Sequence, residues 1–438
     1  MRMPLIICAL VPLLAPPQAA EARQARLDAR LSQPVVLAGQ KTKVFLKVGL
    51  TGHALEQSSD RAPVNVAIVL DKSGSMAGDK IDQAKRAARM AVDQLSPEDI
   101  VSVVAYDSTV RVLVPATRAV DRAMIHAGID RLHASGNTAL FAGVAKGADE
   151  LRKFFDRNRV NRVVLLSDGL ANVGPSSTQA LEGLGGALAR EGISVTTLGL
   201  GLDYNEDLMA RLARASDGNH AFVERAADLG RFFSLEFGTV LTVVAQDVTL
   251  TIDCAPGVRP IRLLGRDGDI IGQQVIARMN QLSSGQEKFL MLEVELPAGE
   301  IGDQRNVARV SASYGNLVTQ INDTLLAEVR AAYTGSPAEV ERRTDREVMV
   351  RAVELVANEQ SRLAVLLNDQ GRRDEAEQLL QKNAFWLEDN FQRYKAPSLR
   401  KLKDDNLEDA RNLDPNDYRR QRKVMRKRQM EFDMQQMY

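Results

Sequence analysis

Three oxygen-bearing side chains alternate along one short segment of the chain: Asp71, Ser73 and Ser75. The segment directly follows the apolar run 64–70 and contains Gly74, a residue type that readily forms turns. A turn at this glycine brings the carboxylate and the two hydroxyls to one point. Hard divalent cations such as Mg²⁺ and Ca²⁺ prefer oxygen ligands of this kind. The first chemistry that the sequence indicates is therefore the binding of a divalent cation.

The residues around this segment predict a buried strand before it and a helix after it. Residues 64–70 are strand formers except for Asn65 and Ala67, and a run this apolar is typical of a strand buried on both faces. Downstream, apolar residues recur at helical spacing, namely Ile81, Ala84, Ala88, Ala91 and Leu95. The polar segment therefore lies at the carboxyl end of a strand, which is where open α/β sheets bind ligands.

Two more oxygen-bearing residues occupy comparable positions further along the chain. Thr138 directly precedes a predicted helix, and Asp168 follows the apolar strand 162–167. Taken one at a time, each of the five residues has an ordinary alternative role as a turn former or a helix cap. That alternative requires five coincidences, so the complete set favours one shared site. Asp107, which follows another predicted strand, is interpreted as a turn or cap residue.

The order Asp71-x-Ser73-x-Ser75, Thr138, Asp168 resembles the metal-ion-dependent adhesion site of von Willebrand factor type A domains. Within this family the chain resembles exported bacterial proteins that are labelled calcium-activated chloride channel homologues. The resemblance implies that the three hydroxyls bind the metal directly and that the two carboxylates act through bound waters. It also implies Mg²⁺, with Mn²⁺ or Ca²⁺ as alternatives, and a partner protein whose carboxylate fills an open position on the metal.

Length and composition place few limits on the function. A chain of 438 residues exceeds one ordinary domain, so two or three domains are expected. Hydrophobic residues at 45% and charged residues at 26% are typical of a soluble globular protein. The formal net charge is zero and the isoelectric point is near 6.9, so no global charge indicates nucleic acid as a partner.

Residues 1–22 have the pattern of a secretory signal peptide. Arg2 precedes an apolar core over 5–15, and 20–22 read Ala-Glu-Ala, a cleavage-site pattern. The core is far shorter than the ~20 residues that span a bilayer. A buried N-terminal helix is the alternative, which the four prolines among these residues disfavour. The pattern predicts a bacterial periplasmic or secreted protein.

The cysteines and the rest of the chain agree with this location. Cys8 lies within the predicted signal peptide, which leaves Cys254 as the single cysteine of the processed chain. No intramolecular disulfide is then available, as is common in bacterial periplasmic proteins. No later segment has the length and apolar character of a transmembrane helix, so we expect no membrane span in the processed chain.

Changes in periodicity divide the chain into units. Residues 63–237 alternate strands and helices, which predicts a doubly wound, mainly parallel sheet with helices on both faces. Residues 238–335 switch to period two, which predicts an antiparallel β-sandwich. Residues 23–62 contain two strands that cannot bury a core alone. We expect these strands to join the sandwich, so that the α/β unit is an insertion in it.

The last hundred residues change character again. Residues 336–394 have a helical apolar stripe interrupted by one turn, which predicts a helical hairpin. Residues 395–438 are rich in charge and include basic clusters at 419–423 and 426–428. This composition predicts a solvated, partly disordered tail. The alternative is a docking segment for an acidic partner, or a peripheral contact with a membrane surface.

Three common motifs of hydrolases and nucleotide-binding enzymes are absent from the sequence. There is no G-x-S-x-G, no G-x-x-x-x-G-K and no H-E-x-x-H, and the four histidines are scattered. We therefore expect no enzyme, but an exported metal-dependent protein-binding module for adhesion or assembly. The alternative is a cell-envelope scaffold in which the metal only stabilises the fold. A third possibility, a von Willebrand factor type A subunit that serves an ATPase, is disfavoured. Such ATPases are cytoplasmic, whereas this chain has a predicted signal peptide.

Overall fold

The structure is a computed structural model, and it describes residues 24–55 and 61–435. They form one mainly parallel α/β sheet, two antiparallel sheets and a C-terminal group of helices. The predicted fold class, including the β-sandwich and the helical hairpin, is confirmed. The predicted signal peptide lies outside the described residues. Within them, no helix combines the length and the apolar character that a membrane span requires.

The strands are, in chain order, β1 (Ala25–Leu31), β2 (Val35–Leu37), β3 (Thr42–Gly52), β4 (Val64–Asp71), β5 (Ile100–Tyr106), β6 (Val110–Arg118), β7 (Val160–Ser167), β8 (Ile193–Leu200), β9 (His220–Val223), β10 (Val243–Cys254), β11 (Arg259–Leu264), β12 (Asp269–Ile271), β13 (Gln274–Ser283), β14 (Glu287–Leu296), β15 (Gln304–Asn316) and β16 (Asn322–Thr334). The helices are α1 (Asp79–Asp93), α2 (Arg122–Asp130), α3 (Leu140–Arg152), α4 (Thr178–Arg190), α5 (Glu206–Ala215), α6 (Leu229–Val240), α7 (Pro337–Arg343), α8 (Arg346–Asp369), α9 (Arg373–Tyr394), α10 (Pro397–Arg411) and α11 (Pro415–Met434).

The α/β sheet has the strand order β6-β5-β4-β7-β8-β9, and only the edge strand β6 runs antiparallel to its neighbour. Successive side chains of β4 enter two different cores. Val66, Ile68 and Leu70 contact the core that includes α1, α2 and α6. Ala67 and Val69 contact the core that includes α3, α4 and α5. Helices on both faces thus explain why β4 is apolar at nearly every position.

The β-sandwich is built from strands on both sides of the α/β unit. One sheet has the order β1-β3-β14-β11, and the other has the order β12-β13-β10-β15-β16-β2. Strand β3 pairs with β14 from Thr42–Leu296 to Thr51–Glu287, across more than 230 residues of sequence. The N-terminal strands therefore lie in the sandwich, and the α/β unit is inserted between β3 and β10.

Buried charges join the α/β unit to the sandwich. Arg162 in β7 donates a hydrogen bond to Gln281 in β13. Asp217, at the end of α5, accepts hydrogen bonds from Arg266 at 2.6 Å and from Lys288 at 2.9 Å. Burial lowers the pKa of Lys288 to about 8, although Asp217 acts to raise it. Separation of the two units would leave these charges without partners, which is costly.

The prediction of a partly disordered tail for 395–438 is wrong over 397–434. These residues form α10 and α11, which pack on the helices that precede them and bury Leu399, Leu402 and Met425. Much of the buried face is polar, because α11 also buries Gln421 and Lys423. A buried face with so few apolar residues has a weak hydrophobic period, which is why the sequence does not indicate these helices.

The basic cluster of α11 docks on acidic side chains of the α/β unit. Lys423 is almost completely buried, donates to the backbone oxygen of Tyr204 at 2.7 Å and pairs with Glu206. Arg422 pairs with Glu206 and with Asp207 at 2.5 Å. The acidic partner of this cluster is thus part of the same chain. The alternative of a peripheral membrane contact has no support at these two residues.

The docking of α11 can be tested by removal of one buried cation. Lys423→Met leaves Glu206 without one of its two cations in a buried place, at a cost of about 3 kcal/mol. We expect faster hydrogen–deuterium exchange of the α11 amides, measured by mass spectrometry. Arg419→Met is the control, because Arg419 forms an exposed pair with Asp203 that is worth less than ~1 kcal/mol. Equal exchange in both variants would contradict the docking account.

Candidate metal centre

Three loops meet where the adjacent parallel strands β4 and β7 end. The first loop leads from Asp71 into α1, the second lies between α2 and α3, and the third begins at Asp168 after β7. Parallel neighbours end at the same edge of a sheet, so the polar residues that follow them are brought together. A backbone hydrogen bond of 2.9 Å from Gly74 to Gly136 joins the first loop to the second.

The hydroxyl groups of the predicted site surround one point. The Oγ atoms of Ser73 and Ser75 are 3.0 Å apart, and Ser75 Oγ donates to Asp168 Oδ1 at 2.6 Å. A Cβ atom added at Gly169 would lie 3.1 Å from Thr138 Oγ1, 3.3 Å from Ser75 Oγ and 3.8 Å from Ser73 Oγ. The third loop thus approaches the three hydroxyls with a residue that has no side chain.

Asp71 fixes the first loop through hydrogen bonds to both of its carboxylate oxygens. Asp71 is fully buried, and its Oδ1 accepts from the backbone N–H of Ser73 at 2.8 Å. Its Oδ2 accepts from Ser167 Oγ at 2.7 Å, which links the loop to the end of β7. Burial raises the pKa of Asp71, and the nearby Asp168 carboxylate acts in the same direction. A bound cation would oppose both effects.

Lys80 is a site residue that the sequence analysis missed. It lies in the first turn of α1, and its Nζ is 2.6 Å from Asp168 Oδ2. Asp168 therefore contacts a hydroxyl with one oxygen and an ammonium with the other. The sequence offers one indication of this role: Lys80 follows Ser75 by only five residues, at the start of the helix that begins directly after the first loop.

Asn172 holds the second loop against the third. Its Oδ1 accepts from the backbone N–H of Thr138 at 2.8 Å, and its own N–H donates to the Thr138 carbonyl at 3.1 Å. This reciprocal pair fixes the backbone position from which the Thr138 hydroxyl extends. Short-range sequence patterns do not indicate it, because the two residues are 34 positions apart.

Asp107 holds the second loop against the first, which goes beyond the predicted role as a turn residue. Its Oδ1 accepts from the N–H of Thr109 at 2.7 Å, as a turn residue would. Its Oδ2 accepts from Ser135 Oγ at 2.9 Å and pairs with Lys72. Burial acts to raise the pKa of Asp107, but the Lys72 ammonium and these hydrogen bonds hold it well below its usual range.

The donor set fits a hard divalent cation. Among the residues that the structure describes, no cluster of three or more His, Cys, Asp or Glu side chains could hold a metal ion. A cation at this centre therefore relies on hydroxyl oxygens, and its chemistry is that of Mg²⁺ or Mn²⁺ rather than Zn²⁺. Because Gly169 has no side chain, the third loop can approach these hydroxyls without covering them. The structure brings all five predicted residues together; their binding of a metal stays a prediction.

Comparison with known families decides the identity of the α/β unit. Residues 65–234 match the family model of the von Willebrand factor type A domain. The chain contains a von Willebrand factor type A domain. The resemblance predicted from the sequence is thereby confirmed. Domains of this family generally mediate protein–protein interaction and adhesion.

Several proteins share this A domain and part of its surroundings. YfbK of Escherichia coli (strain K12) is 29% identical over 217 residues, which are 49% of this chain and 37% of YfbK. The protein sll0103 of Synechocystis sp. is 28% identical over 261 residues, 57% of this chain and 61% of its own length. The E3 ubiquitin-protein ligase WAV3 of Arabidopsis thaliana is 28% identical over 263 residues, 57% of this chain and 33% of WAV3. The match thus spans less than two thirds of each relative.

The whole arrangement of units also occurs in a solved structure. The von Willebrand factor type A protein from Catenulispora acidiphila superposes with a TM-score of 0.69 and covers 90% of this chain and 91% of its own. At 18% identity this similarity shows a shared fold, and the shared fold includes the regions outside the A domain.

The close approach of Gly169 to the hydroxyls provides a test of the centre. Gly169→Ala places a methyl group within 3.3 Å of two hydroxyl oxygens, so we expect a loss of Mn²⁺ affinity of about tenfold or more in calorimetric titration. Gly183→Ala is the matched control, because a Cβ at Gly183 in α4 meets no atom within 4 Å. Unchanged affinity in Gly169→Ala would place any bound cation elsewhere.

Proposed function

We propose that this chain is an exported, non-catalytic module that captures a partner protein through a divalent cation. The observation that carries the proposal is the convergence of the Ser73, Ser75 and Thr138 hydroxyls beside Gly169. The two buried carboxylates, Asp71 and Asp168, lie behind these hydroxyls and accept hydrogen bonds from Ser73 and Ser75. The predicted signal peptide, residues 1–22, supports export to the periplasm or the cell exterior.

The chemistry of the donor set supports binding of a carboxylate. Ser73, Ser75 and Thr138 are neutral ligands, so they leave the charge of the ion largely uncompensated. Mg²⁺ keeps several waters in its octahedral shell, and a carboxylate of the partner replaces one of them. Asp71 and Asp168 would hold the bound waters and the hydroxyls in place. The positive charge of the cation that the neutral hydroxyls leave uncompensated attracts an acidic side chain of the partner.

The positions of the surrounding residues support a role in binding rather than in catalysis. Both carboxylate oxygens of Asp71 already accept hydrogen bonds from the protein, at 2.8 and 2.7 Å. Asp168 is engaged by Ser75 and Lys80 through its two oxygens. Neither carboxylate is placed as a general base. The ligase activity named for WAV3 is a property of that protein, of which the match covers 33%.

A second candidate function is that of a cell-envelope scaffold whose cation only stabilises the fold. The observation that favours it is the complete burial of Asp71 and Asp168, two carboxylates of the same sign in one place. Such a pair is unfavourable without a cation. The two functions differ in what loss of the cation does to the A domain.

Thr138→Ala separates the two functions, with Thr138→Ser as the control that keeps the hydroxyl. We expect a loss of Mg²⁺ and Mn²⁺ affinity of about tenfold or more for Thr138→Ala, because one ligand is removed. Magnesium-dependent retention of a partner from cell-envelope extract should disappear in Thr138→Ala and persist in Thr138→Ser. With Mg²⁺ present, backbone amide exchange of the A domain should be the same in both variants, because a binding module does not depend on the cation for its stability. Faster exchange throughout the A domain of Thr138→Ala would instead favour the scaffold.

A further inference from the structure

We propose that Lys80 sets the cation affinity of the candidate metal centre. In the metal-free protein its ammonium supplies part of the positive charge that the buried carboxylates require. The divalent cation consequently binds weakly unless a partner carboxylate adds negative charge. This inference rests on the proposed function, because it concerns the same centre.

The contacts of Lys80 place a positive charge directly behind the predicted ligands. Its Nζ lies 2.6 Å from Asp168 Oδ2, and Asp168 Oδ1 accepts from Ser75 Oγ at 2.6 Å. One carboxylate group therefore separates the ammonium from a predicted metal ligand. A Cβ atom at Gly201, in the loop after β8, would lie 4.0 Å from the same Nζ. The ammonium is thus held between the third loop and the end of β8.

The surroundings of the two partners differ in a way that matters for the charge balance. The side chain of Asp168 is completely buried, and that of Lys80 is 31% exposed. A buried carboxylate without a nearby cation is costly, so Lys80 stabilises the metal-free protein. Water at the exposed ammonium weakens its field, but the short distance keeps the interaction substantial.

The same ammonium opposes the divalent cation. Two positive charges on either side of one carboxylate repel each other, and Asp168 divides its attraction between them. Lys80 therefore lowers affinity for the metal alone. A carboxylate from the partner relieves this repulsion, since it contributes a negative charge on the open side. By linkage, the cation and the partner then raise each other's affinity.

This account predicts that one substitution shifts metal affinity and stability in opposite directions. Lys80→Met removes the charge and keeps a side chain of similar length. We expect Mn²⁺ to bind roughly tenfold more tightly in calorimetric titration of the full chain, because the repulsion is gone. The metal-free variant should unfold at a lower urea concentration, because Asp168 has lost its partner. A residue with a merely structural role would lower both quantities.

Two variants control for the loss of a charge and for the change of a side chain. Lys80→Arg keeps the positive charge and should bind Mn²⁺ within about twofold of the natural protein. Lys85→Met removes a positive charge five residues further along α1 and should also leave the affinity nearly unchanged. A tenfold gain in Lys85→Met would show that the total charge of the helix matters, and it would overturn a specific role for Lys80.

The remaining outcomes distinguish this inference from the proposed function. Unchanged or weaker Mn²⁺ binding by Lys80→Met overturns the role of Lys80, as does absence of binding in every variant. Thr138→Ala in the Lys80→Met background should abolish the tight binding. If the double variant keeps it, the cation lies elsewhere and the proposed function fails. If the double variant loses it, the site assignment stands and the gain in Lys80→Met is a property of this centre.

Discussion

The burial of two carboxylates at the ends of adjacent parallel strands is the constraint on which the rest of the site depends. Asp71 and Asp168 are both inaccessible to solvent, and burial together with the Asp168 carboxylate raises the pKa of Asp71. The protein offsets the cost of this burial locally, with hydroxyl and backbone donors for Asp71 and with Lys80 for Asp168. A divalent cation bound by the hydroxyls would compensate the charge of the carboxylates more completely. The centre therefore favours a cation, but its fold does not depend on one.

The parts outside the A domain fix the position of this centre within the chain. The A domain is connected at both ends to strands of the sandwich, β3 before it and β10 after it. Asp217 of the A domain accepts hydrogen bonds from Arg266 and Lys288 of the sandwich region. Helix α11 binds the start of α5 through Lys423 and Glu206, next to the loop that follows β8. The three metal loops therefore extend from a domain that is anchored on two sides.

How much of the molecule the sequence predicts depends on the range of the interactions involved. The five predicted residues lie at strand ends or before a helix, so local pattern places them correctly at the edge of the sheet. Asp107 and Asn172 act on residues 28 and 34 positions away, and no local pattern links those partners. The helices α10 and α11 were missed because their buried faces carry amides and charges, whose partners are known only from the fold. Propensity and period describe what one segment prefers, whereas these contacts depend on which segments meet.

Anomalous diffraction from crystals grown with MnCl₂ tests the central claim most directly, because it locates the cation without any partner or activity assay. The account predicts a manganese peak between the hydroxyls of Ser73, Ser75 and Thr138, within coordination distance of each oxygen. Asp71 and Asp168 should then contact its waters. A manganese peak at another place, or none at a concentration that saturates the protein in solution, would contradict a metal-dependent site here.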